Sequence, residues 1–251
     1  MVLHADREGQ GPRLVLVHGF TQTRLCWGPT AAALALHHEV VRVDAPGHGR
    51  SAGIVVGLSA GGRLIAGEGG AATYIGYSMG ARFCLHAALT SPELVRGLVL
   101  VGGTAGLEDP AERTARKEQD ARTAAQLEAE GLARFLEGWL EQPLFAGLPA
   151  ERAFRAERLE NTVPGLMSSL EQAGTGAQDP SWHNLHRLEM PVLAIAGAQD
   201  TKFVTLAGRM VATIGDNATL SLIDGAGHAA HLEQPDHFLA AIQPWLAHHG
   251  L

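Results

Sequence analysis

Six short apolar runs punctuate the chain. They are Leu14-Val15-Leu16-Val17, Val40-Val41-Arg42-Val43, Ala72-Thr73-Tyr74-Ile75-Gly76-Tyr77, Leu98-Val99-Leu100-Val101, Val192-Leu193-Ala194-Ile195-Ala196 and Thr219-Leu220-Ser221-Leu222-Ile223. Runs of this length, rich in Val, Ile and Leu and bounded by glycine or proline, read as strands buried on both faces of a parallel sheet. Helical spacing fills several gaps between them, over 27–37, 79–90 and 203–214. Alternating strands and helices predict an α/β fold with a doubly wound, mostly parallel sheet. A last helix is expected over 235–248, with Pro235 in its first turn.

The rhythm stops between about residues 108 and 182. No strand pattern occurs there, and apolar residues recur at helical spacing, as in Leu132, Phe135, Leu136, Trp139 and Leu140. This predicts a helical cap over 105–188, inserted between core segments 1–104 and 189–251. An insertion at the carboxyl edge of the sheet overlies the ligand crevice of open α/β folds; the alternative is a decoration remote from any site. The glycine-rich stretch 52–70 leaves room only for a short helix, near 60–67. The first apolar run starts early, so one or two edge strands are expected to be missing.

Composition narrows the class. The 251 residues are 46% hydrophobic and 18% charged, with a net charge of −7. That balance fits a globular protein and disfavours nucleic acid, which needs a concentrated basic surface. No apolar run is long enough to cross a membrane, and residues 1–10 do not resemble a secretion signal. A cytoplasmic monomer or homodimer is expected. Cys26 and Cys84 lie in apolar stretches without metal or redox spacing and read as buried free thiols. The histidines show no metal-site spacing.

The chemistry begins at Gly76-Tyr77-Ser78-Met79-Gly80. This is G-x-S-x-G directly between a predicted strand and a predicted helix, the context of a nucleophile elbow. A serine hydroxyl needs a histidine to take its proton and a carboxylate to orient that histidine. Asp200 and His228 each follow a predicted strand by a few residues, so Ser78, Asp200 and His228 can converge at one sheet edge. The rivals are His231 for the histidine, and Asp224 or Glu233 for the carboxylate; Asp224 reads as a turn former. Developing negative charge requires backbone donors. The Met79 N–H is one candidate and the Phe20 N–H, in the loop His18-Gly19-Phe20-Thr21, is the other. Gly19 is expected to permit that loop's turn, and the His18 ring to pin it. His48 and Arg50, in Gly47-His48-Gly49-Arg50-Ser51, read as structural.

Together, His18-Gly19-Phe20, the 47–51 turn, the serine motif, Asp200 and Gly227-His228 resemble the α/β-hydrolase superfamily over nearly the whole chain. A narrower set resembles the menaquinone-pathway family of 2-succinyl-6-hydroxy-2,4-cyclohexadiene-1-carboxylate synthases. It comprises Gly80-Ala81-Arg82, the stretch 109–116 (DPAERTAR), the stretch 139–145 (WLEQPLF), Gly174-Thr175-Gly176-Ala177-Gln178 and Asp200-Thr201-Lys202-Phe203. The chain has Ala81 where that family often has a second glycine. The resemblance implies a lyase without metal or organic cofactor, whose triad removes a ring proton and expels pyruvate.

The residues themselves fit a small anionic carboxylate. Arg82 lies one helical turn after Ser78, Arg116 comes from the insertion, and Lys202 follows Asp200 by two positions. Arg suits bidentate carboxylate capture and Lys acts as a point charge. Tyr77, Trp139 and Phe145 are candidate apolar walls. An esterase working through an acyl-enzyme is the alternative, and a non-catalytic binding protein on the same scaffold a second; three buried cations would favour the lyase.

Overall fold

The computed structural model describes all 251 residues. Seven strands form one sheet in the order β1-β3-β2-β4-β5-β6-β7. They are β1 (Ala5–Glu8), β2 (Arg13–Val17), β3 (Glu39–Val43), β4 (Ala72–Tyr77), β5 (Val95–Val101), β6 (Val192–Gly197) and β7 (Ala218–Ile223). All neighbours run parallel except β1, which pairs antiparallel with β3. The six expected runs are all strands. β1 was not foreseen, because its sequence, Ala-Asp-Arg-Glu, is polar and carries no burial signal. It supplies an edge where strands were expected to be missing. β7 is the opposite edge, so Leu220 and Leu222 stay exposed although the apolar run suggested burial on both faces.

Residues alternate between two cores. Val15 and Val17 of β2 face one side, with Leu98 and Leu100 of β5. Leu14, Leu16, Val99 and Val101 face the other. This is the period-two alternation of a pleated strand, with helices covering both faces. Helices α2 (Leu58–Gly69), α3 (Met79–Thr90) and α8 (Thr201–Ile214) cover the first face. Helices α1 (Gly28–Leu34) and α10 (Pro235–His249) cover the second, while the single turn α9 (Ala230–Glu233) precedes α10. α2 has 12 residues and is longer than its glycines suggested. Gly61 and Gly62 are instead where α2 meets α3, since a Cβ there would strike Phe83 or the backbone of His86 and Ala87.

Between β5 and β6 the chain carries no strand, and its regular elements are all helical. It forms α4 (Pro110–Glu130), α5 (Leu132–Leu140), α6 (Arg155–Arg158) and α7 (Val163–Ala173), joined by short 3-10 turns. Asp109 caps α4 by accepting from the Ala111 N–H at 2.6 Å, with Pro110 in the first turn. Leu127, Phe135 and Leu166 form a small core of their own, against which Phe20 and Trp139 pack. The insertion therefore touches the core through the loop after β2. That loop and the one after β4 lie on either side of the strand-order reversal, the crevice where open α/β sheets bind ligands.

Candidate active site

Ser78 sits at the tip of a strained turn. Its φ is +52° and ψ −108°, a backbone region that L-residues rarely adopt. The turn is possible because its flanking residues are bare. A Cβ on Gly76 would collide with Gly80 and Ala81, and one on Gly80 with the carbonyls of Val17 and His18. The two glycines thus let β4, the start of α3 and the end of β2 pack backbone to backbone. The Ser78 N–H donates to the Val101 carbonyl at 2.8 Å, which anchors the turn to the next strand.

The three residues separated along the chain meet. His228 Nε2 lies 3.1 Å from Ser78 Oγ, and His228 Nδ1 lies 2.9 Å from Asp200 Oδ2. The other Asp200 oxygen accepts from the Phe203 N–H at 3.3 Å and so caps α8. Rings of Phe203 and Tyr77 stand 4.4 and 5.4 Å from the imidazole of His228. The rivals lie elsewhere. His231 is buried between Trp27 and Tyr77 and bonds to neither Ser78 nor a carboxylate. Glu233 is no second orienter of His228. Its carboxylate accepts from the Gly227 N–H at 2.7 Å and the Ala229 N–H at 2.9 Å, gripping the backbone on both sides of the histidine.

The loop after β2 is pinned as its histidine suggested. His18 Nδ1 lies 2.8 Å from the Gly19 carbonyl, while Nε2 accepts from the Ala45 N–H at 3.1 Å. Burial depresses its pKa to about 4, so the ring is neutral and holds both bonds as one tautomer. The expected role of Gly19 needs correction. The left-handed residue of the loop is Thr21, at φ +65°, and Gly19 is small because a Cβ there would strike the Tyr77 ring. The Phe20 N–H bonds to no protein acceptor, and the Met79 N–H, first in α3, has no intrahelical acceptor. His48 and Arg50 are structural: His48 Nδ1 lies 3.0 Å from the Pro46 carbonyl, and the Arg50 N–H donates to Asp44 at 3.0 Å.

A cavity of about 870 Å³ opens over Ser78 and His228, with the insertion as its far wall. Every residue singled out for the site lines it: Phe20, Tyr77, Met79, Arg82, Arg116, Trp139, Phe145, Asp200 and Lys202. The expectation of three buried cations holds only for Arg82. Arg116 has a 41% exposed side chain and pairs with Asp120 at 2.8 Å, and Lys202 is exposed. Arg82 is 7% exposed and meets no carboxylate; its Nη1 donates to the Ala173 carbonyl at 2.6 Å. Desolvation, and then the nearby Arg116, lower its pKa to about 10.

The second buried cation is one that sequence reasoning missed. Arg158 is 1% exposed, lines the cavity and also lacks a carboxylate partner. Nε donates to the Ala153 carbonyl at 2.7 Å and Nη1 to Thr21 Oγ1. Desolvation pushes its pKa down. Nothing in the sequence set it apart, because Arg152 and Arg155 stand beside it and only the fold turns one of the three inward. Two desolvated guanidiniums facing one cavity, each bonded only to neutral oxygens, can pair with an anion.

Comparison with known proteins bears on this arrangement. The Alpha/beta hydrolase family profile matches residues 14–242. The chain belongs to that family. Within it, the chain is 34% identical over 248 residues to the 2-succinyl-6-hydroxy-2,4-cyclohexadiene-1-carboxylate synthase of Salmonella paratyphi C, covering 94% of this chain and 95% of that one. The Salmonella choleraesuis synthase matches equally. Among solved structures, MenH from S. aureus superposes on this hydrolase-family chain with a TM-score of 0.88 and 27% identity, covering 99% of each. A thermophilic esterase from Thermogutta terrifontis, with malate bound, gives 0.85 at 25% identity, over 98% of this chain and 93% of that one. No helix is long and apolar enough to cross a membrane.

Proposed function

We propose that this α/β-hydrolase-family chain eliminates pyruvate from an enolpyruvyl cyclohexene carboxylate, yielding 2-succinyl-6-hydroxy-2,4-cyclohexadiene-1-carboxylate. The synthases it resembles over 94% of its length carry that product in their name. The observation that carries the reading is the pair of buried guanidiniums, Arg82 and Arg158, facing the cavity that holds Ser78. Burying an unpaired cation costs several kcal/mol, and a neutral ester gives nothing in return. A polycarboxylate supplies the missing partners.

In this reading Ser78 Oγ accepts a ring proton as its own proton passes to His228, and Asp200 stabilises the resulting imidazolium. The released electron pair forms a ring double bond and breaks the carbon–oxygen bond to the enolpyruvyl group. The departing enolate takes up the proton held by the His228 imidazolium and becomes pyruvate, which leaves His228 neutral and Ser78 carrying the former ring proton as its hydroxyl. The Phe20 and Met79 N–H groups hold the negative charge that develops. Arg82 and Arg158 bind carboxylates, Arg116 and Lys202 supply further charge at the rim, and Tyr77, Trp139 and Phe145 wall the ring. The enzyme works in the cytoplasm, as a monomer or homodimer, with no metal or organic cofactor.

The test is to supply the enolpyruvyl precursor and follow pyruvate with lactate dehydrogenase and NADH. Stoichiometric pyruvate release is expected, and Ser78→Ala should lower it by about 10³-fold or more while the fold melts normally. Hydrolysis of p-nitrophenyl acetate without pyruvate release would favour the esterase reading instead.

A further inference from the structure

The loop that carries the Phe20 N–H is held from the insertion. Thr21, next in the chain, is β-branched yet sits at φ +65°, a conformation that persists only where neighbours enforce it. The side chain bonded to its carbonyl is Asn161, between α6 and α7. It is 5% exposed and its amide is fully engaged. Nδ2 donates to the carbonyls of Thr21 at 2.8 Å, Arg158 at 3.0 Å and Gln22 at 3.3 Å. Oδ1 accepts from the Gly49 N–H at 2.9 Å, in the turn after β3. The Arg158 guanidinium holds the Thr21 hydroxyl from the same side. The other end of the loop closes on itself, the Gly19 N–H donating to Gln22 Oε1 at 2.9 Å.

We propose that Asn161 is a positioning residue: a side chain of the insertion that fixes Thr21 in its left-handed conformation and thereby aims the Phe20 N–H at the negative charge formed beside Ser78. The insertion then does more than roof the cavity. It sets the geometry of one of the two charge-stabilising donors, and displacing it would release the loop. This rests on the oxyanion reading of Phe20 given above.

The experiment compares Asn161→Ala with Asn217→Ala. Asn217 also spends a half-buried amide on two backbone carbonyls, those of Leu188 and Met190, both at 2.7 Å, but stands outside the cavity. Melting temperature, kcat and KM for pyruvate release, and the rate at which a fluorophosphonate labels Ser78 are measured for each. Asn161→Ala should lower kcat and the labelling rate together by at least about tenfold, part of the 10²–10³-fold lost with a whole donor, and leave KM within about threefold. Asn217→Ala should lower the melting temperature while keeping both rates within about twofold of the parent. Adding Thr21→Gly to Asn161→Ala should recover much of the labelling rate, because glycine rests at this φ unaided.

Unchanged kcat and labelling in Asn161→Ala, or losses matched by Asn217→Ala, would overturn the proposal. Should the alanine variant fold poorly, Asn161→Ser is held to the same outcomes. Ser78→Ala separates the two levels of inference. If it abolishes turnover while the Asn161 variants are silent, only the positioning role fails; if it leaves turnover intact, the reading of the site fails.

Discussion

The cavity has two walls, and they differ in how their polar atoms are satisfied. On the wall of strand-end loops, Ser78, His228 and Asp200 bond to one another in series, and Glu233 holds the histidine's backbone. On the other, formed by α3 and the insertion, Arg82 and Arg158 are buried but meet only carbonyl and hydroxyl oxygens. The first wall is complete before any substrate arrives. In the proposed reading the second is completed by one. Satisfied networks contribute to folding, whereas an unpaired buried charge is carried against stability. Loss of Arg82 should therefore separate function from stability, whereas loss of Glu233 should lower both.

A large separation is expected at Arg82. Arg82→Met removes a buried charge and one hydrogen bond to a carbonyl and fills nearly the same space. Each hydrogen bond a guanidinium makes to a carboxylate is worth about 1.5–3 kcal/mol, so kcat/KM for pyruvate release should fall about 10–100-fold. Hydrolysis of p-nitrophenyl acetate should change less than about twofold. The melting temperature should not fall, because relieving the desolvation of the cation offsets the lost bond. Equal losses on both substrates, or a clear drop in melting temperature, would mean that Arg82 is a structural residue.

The two walls also differed in how far the sequence revealed them. Ser78, Asp200 and His228 follow strands whose apolar runs are unmistakable, so each could be placed at the same sheet edge from spacing alone. The glycines at 76 and 80 marked the elbow because only close backbone packing calls for them there. The insertion gave less. Its helix α4 is polar nearly throughout, with Asp120 and Leu127 its only buried residues, and helical period does not tell which of many arginines turns inward. Arg158 comes from a four-residue helix led by Phe154 in a left-handed conformation, a local irregularity with no compositional mark. Asn161 was invisible for the same reason: its partners Thr21, Gln22 and Gly49 lie more than 110 residues away. Glu233 was noticed only as a rival to Asp200, since distance along the chain could not separate a bond to the ring from bonds to the backbone.

Glu233 gives the middle-sized effect, and at this position function and stability should fall together. Each carboxylate oxygen takes one N–H in a charge-assisted bond. In Glu233→Gln one of those oxygens becomes an NH₂ facing a donor. A loss of about 1–2 kcal/mol is expected, which in a protein of this size lowers the melting temperature by roughly 2–8 °C. The freed histidine loop should reduce kcat about tenfold with KM nearly unchanged, for both the lyase and any ester substrate. A stability loss without a kcat loss would show that the backbone of residues 227–229 holds its shape unaided.

The smallest effect on turnover is expected behind both walls, at His231. Its ring lies 4.4 Å from that of Tyr77 and 4.6 Å from Trp27, with Nδ1 unpartnered. Desolvation, and then the nearby Arg158 and His228, depress its pKa to about 3. His18 and His86 are likewise held near 4 and His48 near 3, chiefly by burial. The unfolded chain protonates these rings near pH 6.5 and the folded chain does not until far lower. Between those limits the unfolded state binds more protons, so stability declines as pH falls below about 6.5 and is unaffected above it. Four such groups give a slope of up to about 5.5 kcal/mol per pH unit, each contributing about 1.4. His231→Phe keeps the aromatic packing and removes one titration. Urea unfolding at pH 7 and pH 5 should show the decline made shallower by about one proton's share, with kcat at pH 7 within about twofold of the parent. An unchanged slope would mean that the folded protein already protonates His231 at pH 5; a large loss of kcat would return His231 to contention as the histidine that serves Ser78.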